Sequence, residues 1–158
     1  MAKKPMREVL KAAAAALIAL TGLPLAASAQ GTASVWDGVY TDAQADRGAG
    51  QYVQHCAVCH GKALEGNGES PPLVGQFIPD WGGTTLDLLY DKVQVTMPLN
   101  APGTLRPAVA ADILAFLLKS NNFPAGAKEL EPAPETLKSV SFDSSKPKPA
   151  PAAKKKTK

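Results

Sequence analysis

Apolar and polar positions follow a helical period in three stretches of this chain. Ala45, Gly48, Ala49, Tyr52 and Val53 recur at spacings of three and four, which predicts a helix that packs one face inward. Thr41 and Gln44 resemble a capping box at its start, and the helix is expected to run through Cys56. The second stretch, Thr84 to Gln94, offers Thr84 and Asp87 as another capping pair and puts Leu88, Leu89 and Val93 on the buried side. The third, Pro107 to Ser120, opens on a proline suited to a first helical turn and stops before Asn121, Asn122 and Pro124. Between Gly61 and Gly83, glycine and proline punctuate a long loop. No stretch reads as a strand, so the expected fold class is all-α.

The two ends break this pattern. Residues 1–29 join a basic head (Lys3, Lys4, Arg7, Lys11) to a short apolar run from Ala12 to Leu20, then to Gly22, Pro24 and the small residues Ala27-Ser28-Ala29. That order is the signature of a cleaved signal peptide, and the run is well short of the roughly 20 residues that span a bilayer. Export to the periplasm is expected, with residues 30–123 as the single domain. Beyond Phe123 the chain turns to proline, alanine and lysine, and Leu130, Leu137, Val140 and Phe142 are its few large apolar side chains. Such a segment lacks the apolar surface to offset its ordering entropy. Residues 124–158 are therefore expected to form a largely disordered tail, with at most Pro124 to Asp143 lying along the domain surface.

Charge sharpens the division. The whole chain carries 17 Lys+Arg against 14 Asp+Glu, yet residues 30–123 hold five basic and nine acidic side chains and residues 124–158 hold eight and four. The domain is acidic and the tail basic. The lysine-rich tail matches nucleic-acid arms, but export argues against nucleic acid as a partner. A weak contact with an anionic membrane surface, at about 1 kcal/mol per well-placed lysine, a return onto the acidic domain and a plain solubilising extension are the roles left for it.

Both cysteines and both histidines fall in one nonapeptide, QHCAVCHGK, Gln54 to Lys62. A redox dithiol would place C-x-x-C at a helix start in a βαβ context, and no such alternation is present. A structural zinc site needs four ligands, and His55 abuts Cys56 too closely for the usual paired spacing. Covalent haem attachment expects the string C-x-x-C-H. Cys56 and Cys59 would form thioethers to the porphyrin vinyl groups, and His60 would sit beneath the iron. A small domain in a chain of only 6% aromatic residues needs such a staple; a Cys56–Cys59 disulfide would close too small a loop to serve. For the sixth iron position, Met97 is the only methionine left after signal removal. A lone methionine is ordinarily core filler, but TMPLNAPGTL is a proline-flanked loop rather than a periodic core stretch, which makes Met97 the expected axial ligand. His55 belongs to the same tight segment as the cysteines and cannot easily reach the opposite haem face.

Over residues 38–123 the chain resembles a class I c-type cytochrome. Gly48, Tyr52 and Phe116 match the glycine and aromatics that pack the first helix of that family on its last, and Pro71-Pro72-Leu73-Val74-Gly75 matches its P-x-L-x-G. The resemblance implies the class I cytochrome c fold, helices wrapped around one covalently attached haem c. It implies that the Pro71 carbonyl accepts the other ring N–H of His60, and Trp81 resembles the indole that many members place near a haem propionate. The segments Trp36-Asp37-Gly38-Val39-Tyr40-Thr41 and Met97 to Leu105 resemble the cytochromes that serve quinoprotein dehydrogenases. His/Met ligation closes the iron to small ligands and raises its potential over bis-nitrogen ligation. The expectation is thus an electron-transfer protein rather than an enzyme, free or as a dehydrogenase subunit. It would run between a quinoprotein dehydrogenase and a terminal oxidase or another cytochrome, in brief encounters steered by charge. The alternative is a haem-based ligand sensor or peroxidase-like enzyme in which Met97 leaves the iron, with His55 as the spare acid–base group.

Overall fold

The largest helix–helix interface is the crossing of α1 (Asp42–His55) with α5 (Pro107–Ser120). It is described, with the rest of residues 33–148, by a computed structural model; the expected signal peptide and the tail from residue 149 lie outside the described residues. At the crossing a Cβ on Gly48 would collide with the Asp112 carbonyl and stand 2.9 Å from the Phe116 Cβ, so only glycine lets the backbones approach this closely. One turn on, the rings of Tyr52 and Phe116 lie 5.2 Å apart. Helix α5 buries Ala110, Ala111, Ile113, Leu114, Ala115, Leu117 and Leu118, more than one face, as a central helix does.

The four-residue α2 (Ala57–His60) and five-residue α3 (Phe77–Trp81) follow α1, and α4 (Leu86–Thr96) packs against α5. Its buried positions are Leu86, Leu89, Tyr90 and Val93, a regular i, i+3, i+4, i+7 face. Leu88, expected inside, is 51% exposed. The helix starts after Thr85 rather than Thr84, and the Thr85 hydroxyl bonds the Asp87 carboxylate instead of a backbone N–H. Leu88 lies about 200° round the helix from Leu86, opposite the buried face.

The all-α expectation needs correction to helix-rich with a small sheet. Strand β1 (Ala33–Ser34) lies parallel to β3 (Val140–Phe142), and β2 (Thr84–Thr85) lies antiparallel on its other side. Ala33 stands opposite Val140, and Thr84 opposite Phe142. Strands of two or three residues carry no alternation long enough to read.

The tail is the larger correction. Leu130, Leu137, Val140 and Phe142 are all buried, and a short helix α6 (Pro134–Leu137) packs on α4. Phe142 meets Phe123 at 5.2 Å and Phe77 at 6.0 Å between ring centroids, and Trp36 meets Phe123 at 4.8 Å. Polar grips lock the same path. The Gln44 amide donates to the Leu130 carbonyl (2.9 Å) and accepts from the Leu130 N–H (2.7 Å). The capping box at Thr41 is therefore only half formed: Thr41 Oγ1 accepts from the Gln44 N–H at 3.1 Å, while the Gln44 side chain has turned away to hold the tail. The Tyr40 hydroxyl donates to the Phe123 carbonyl (2.6 Å), and the Trp36 indole N–H to the Asp143 carbonyl (2.9 Å). Ordering of residues 124–143 was not readable from composition because each apolar side chain docks singly on a surface the helices supply.

Arg47 bridges Asp112 of α5 and Glu129 of the tail, 2.9 Å to each. The guanidinium holds the Glu129 carboxyl below its ordinary range. A depressed folded-state value adds stability that is present above the unfolded value and lost as pH falls through the folded one. Denaturant midpoints at neutral and acid pH should accordingly converge somewhat in Glu129→Gln relative to the wild type. The difference is small because the pair is exposed; an unchanged acid sensitivity would count against the bridge.

Candidate functional site

The site is hung from the α1–α5 crossing. Cys56 ends α1, its N–H donating to the Tyr52 carbonyl (2.8 Å), and its own carbonyl accepts from the N–H groups of Cys59 (3.1 Å) and His60 (2.9 Å). That single turn is α2. Gly61 closes it at φ +80°, where a side chain would be strained, and the Tyr52 hydroxyl donates to the Gly61 carbonyl at 2.7 Å. The same tyrosine whose ring packs on Phe116 thus holds the end of the turn. Burial, with the charges of Cys56 and Glu65 adding to it, pushes the Tyr52 phenol up to about 12, so it stays a donor through the neutral range.

His60 is half-buried, and its Nδ1 lies 2.9 Å from the Pro71 carbonyl oxygen. A carbonyl only accepts, so Nδ1 carries a hydrogen toward Pro71, which in the neutral ring puts the lone pair on Nε2. The loop that brings Pro71 back is closed by two backbone bonds, Gly66 N–H to the His60 carbonyl and Leu73 N–H to the Leu64 carbonyl, each 2.8 Å. Cys56 is half-buried and Cys59 exposed, both as free thiols. Burial, then the neighbouring Cys59, pushes the Cys56 thiol up to about 11, leaving it as S–H at neutral pH.

Met97 stands on a separate loop. It ends α4 in an extended conformation, half-buried, and is followed by a turn in which the Ala101 N–H donates to the Pro98 carbonyl (2.9 Å) and Thr104 Oγ1 to the Ala101 carbonyl (2.7 Å). Trp81 ends α3, half-buried, with its ring 6.4 Å from that of Phe77. His55 lines a cleft of about 340 Å³ with Gln54, Thr104 and Arg106 among its walls. Pro71 and His60 are thus brought into contact, Cys56 and Cys59 share their helical turn, and Met97 and Trp81 are presented by other elements. Among the described residues no three His, Cys, Asp or Glu side chains converge as a metal-ion site. Two thiols, an imidazole with one free ring nitrogen and a loop thioether form a donor set that fits a covalently held haem.

Two functional side chains escaped sequence reasoning. The Tyr52 hydroxyl was visible only as an aromatic packing partner. Asn121 was visible only as part of a helix stop, yet its Nδ2 donates to the Leu73 carbonyl at 2.8 Å as well as to Leu117 at 2.9 Å.

A family model described as Cytochrome C oxidase, cbb3-type, subunit III matches residues 43–117. The matched span runs from the start of α1 into the last turn of α5 and includes Cys56, Cys59, His60, Pro71, Trp81 and Met97. The match supports a class I c-type cytochrome domain, with covalently bound haem c and electron transfer to and from partner proteins rather than enzymatic turnover. No curated protein and no solved structure matches the chain.

Proposed function

We propose that this chain is a periplasmic carrier of single electrons, built around one class I c-type haem ligated by His60 and Met97. The observation that carries the proposal is the His60 ring. It sits on the C-x-x-C-H turn with Nδ1 engaged by the Pro71 carbonyl, so Nε2 alone is free for iron. When bound, the haem supplies a one-electron Fe(III)/Fe(II) couple. Cys56 and Cys59 hold the porphyrin through thioethers. The Pro71 carbonyl orients His60 and raises its basicity as a ligand. Met97 would supply the second iron ligand and keep small ligands out, and Trp81 would pack beside the bound group.

Val58, within the haem string, and Leu99, in the methionine loop, are 84% and 78% exposed. Apolar side chains at these two places suit a small, transient contact with a redox partner. The acidic balance of residues 30–123 fits partners with basic docking patches. A quinoprotein dehydrogenase is the proposed donor, and a terminal oxidase or another cytochrome the acceptor. Export through residues 1–29 is part of this proposal; among the described residues no helix is long and apolar enough to cross a membrane.

Optical spectra of the wild type and Met97→Ala, with and without carbon monoxide, test it. The wild type should be low-spin in the ferric state, show the long-wavelength sulfur–iron band and resist carbon monoxide when reduced. The variant should lose the band and bind carbon monoxide. A high-spin or readily carbonylated wild type would overturn the carrier in favour of a ligand sensor or peroxidase-like enzyme.

A further inference from the structure

We infer that Asn121 is a positioning residue for His60, acting through the Pro71–Leu73 segment. The inference rests on His60 being the iron ligand. Asn121 follows α5 and is 3% exposed. Its two amide hydrogens are both used, one on the Leu117 carbonyl within its own helix end and one on the Leu73 carbonyl, 48 residues earlier in the chain. Finishing a helix explains the first bond and leaves the second unexplained.

The second bond falls on the C-terminal side of Pro71; on the other side Ser70 is tied to Asn67 through both its N–H and its carbonyl. Pro71 and Pro72 have no N–H, so the first backbone donor after His60's partner carbonyl is that of Leu73. That N–H is held by the Leu64 carbonyl at 2.8 Å, and the Leu73 carbonyl is held by Asn121. Both sides of residue 73 are therefore tied, and two rigid prolines carry that fixed point back to the carbonyl that meets His60 Nδ1 at 2.9 Å. Packing does not explain the choice of side chain. Asn121 Oδ1 is buried without a partner among the described residues, a destabilising arrangement that an apolar residue of the same size would avoid. What only the amide supplies is the donor to Leu73.

Loss of that donor frees the Pro71 carbonyl to drift from Nδ1–H. The imidazole then becomes a weaker base and stabilises ferric iron less, so the midpoint potential rises. The test uses holoprotein of the full chain as exported, with Asn121→Leu, Asn121→Ser and, as a control remote from His60, Gln44→Leu, which cuts the Leu130 grip. The readouts are the midpoint potential and the hyperfine-shifted ring resonances of His60 in the ferric state. At the wild-type midpoint, more than half of each Asn121 variant should be reduced and its His60 resonances displaced, while Gln44→Leu keeps the wild-type values. Asn121→Ser, too short to reach Leu73 but able to cap the helix end, carries the test if the leucine variant does not accumulate. Asn121 variants that lose thermal stability yet keep the wild-type potential and His60 resonances would overturn the inference and leave ligation standing. A wild type without hyperfine-shifted His60 resonances would overturn both.

Discussion

A Cys56→Ala, Cys59→Ala double variant is expected to leave the cell's export machinery without covalently bound haem. Helix α2 is one turn of four residues, and an isolated turn that short has no stability of its own. It is held from outside, by the Tyr52 hydroxyl on Gly61 and by the end of α1. Without the two thioethers, a haem would depend on His60 and Met97 alone, one at the end of the four-residue α2 and the other just past α4. A haem-stained denaturing gel and an intact mass read the outcome directly. The wild type should carry one haem mass, the single variants a weakened stain, and the double variant none. A full stain in the double variant would end the assignment of the C-x-x-C-H string. Loss of the haem also removes the apolar surface it would bury in the folded state, so the double variant's thermal midpoint should fall with it.

The second large effect lies far from the haem string. Phe142→Ala should cost about 3–5 kcal/mol, the range for removing a buried aromatic side chain. Phe142 is fully buried between Phe77 and Phe123, and its backbone carbonyl accepts from the Gly83 N–H at 2.9 Å. Against a typical domain stability of about 5–15 kcal/mol, that loss leaves little margin. Urea unfolding of wild type and variant, compared at equal slope, measures it. A change under about 1 kcal/mol, the level of an ordinary surface substitution, would mean that the tail is an ornament. The same geometry bears on tail truncation. Ending the chain after Phe123 would strip Leu130, Leu137, Val140 and Phe142 from the core, so it tests folding and nothing subtler. Replacing Lys154, Lys155 and Lys156 by glutamine is the cleaner probe of membrane contact.

What the chain made legible was whatever it encoded locally. Helix α5 begins and ends at the residues its sequence indicates because Pro107, the run of apolar residues and the Asn121-Asn122 stop agree with one another. Helix α1 was nearly as clear in extent, but Val53, read on its inward face, is 63% exposed, and Gln44 is buried there instead. At α4, the adjacent Leu88 and Leu89 were both read as buried, but they stand about 100° apart on a helix, and the chain turns Leu88 outward. The C-x-x-C-H string folds as one helical turn, as its spacing indicates. The tail was not readable. Its apolar residues are spaced irregularly, and their burial depends on Phe77, Phe123 and Gln44, which lie elsewhere in the chain. Gln44 itself was misleading: a residue placed to complete a cap spends its side chain on Leu130. Asn121 belongs to the same class, since a helix stop and a strut to a distant loop look identical in one dimension.

The middle strand of the sheet has a consequence for the order in which the molecule can assemble. β1 is joined to β3 across 108 residues of chain, from Ala33 to Ser141. During vectorial synthesis, the segment from Ala33 to Trp36 emerges early and lacks its β3 partner until Val140 arrives. Closure over so long a span is slow in principle. The C-x-x-C-H turn is made about eighty residues ahead of that closure, at a stage when its thiols face no finished tail. The architecture therefore orders events in time: the Cys56–His60 turn is available first, and the clasp that completes the domain comes after it.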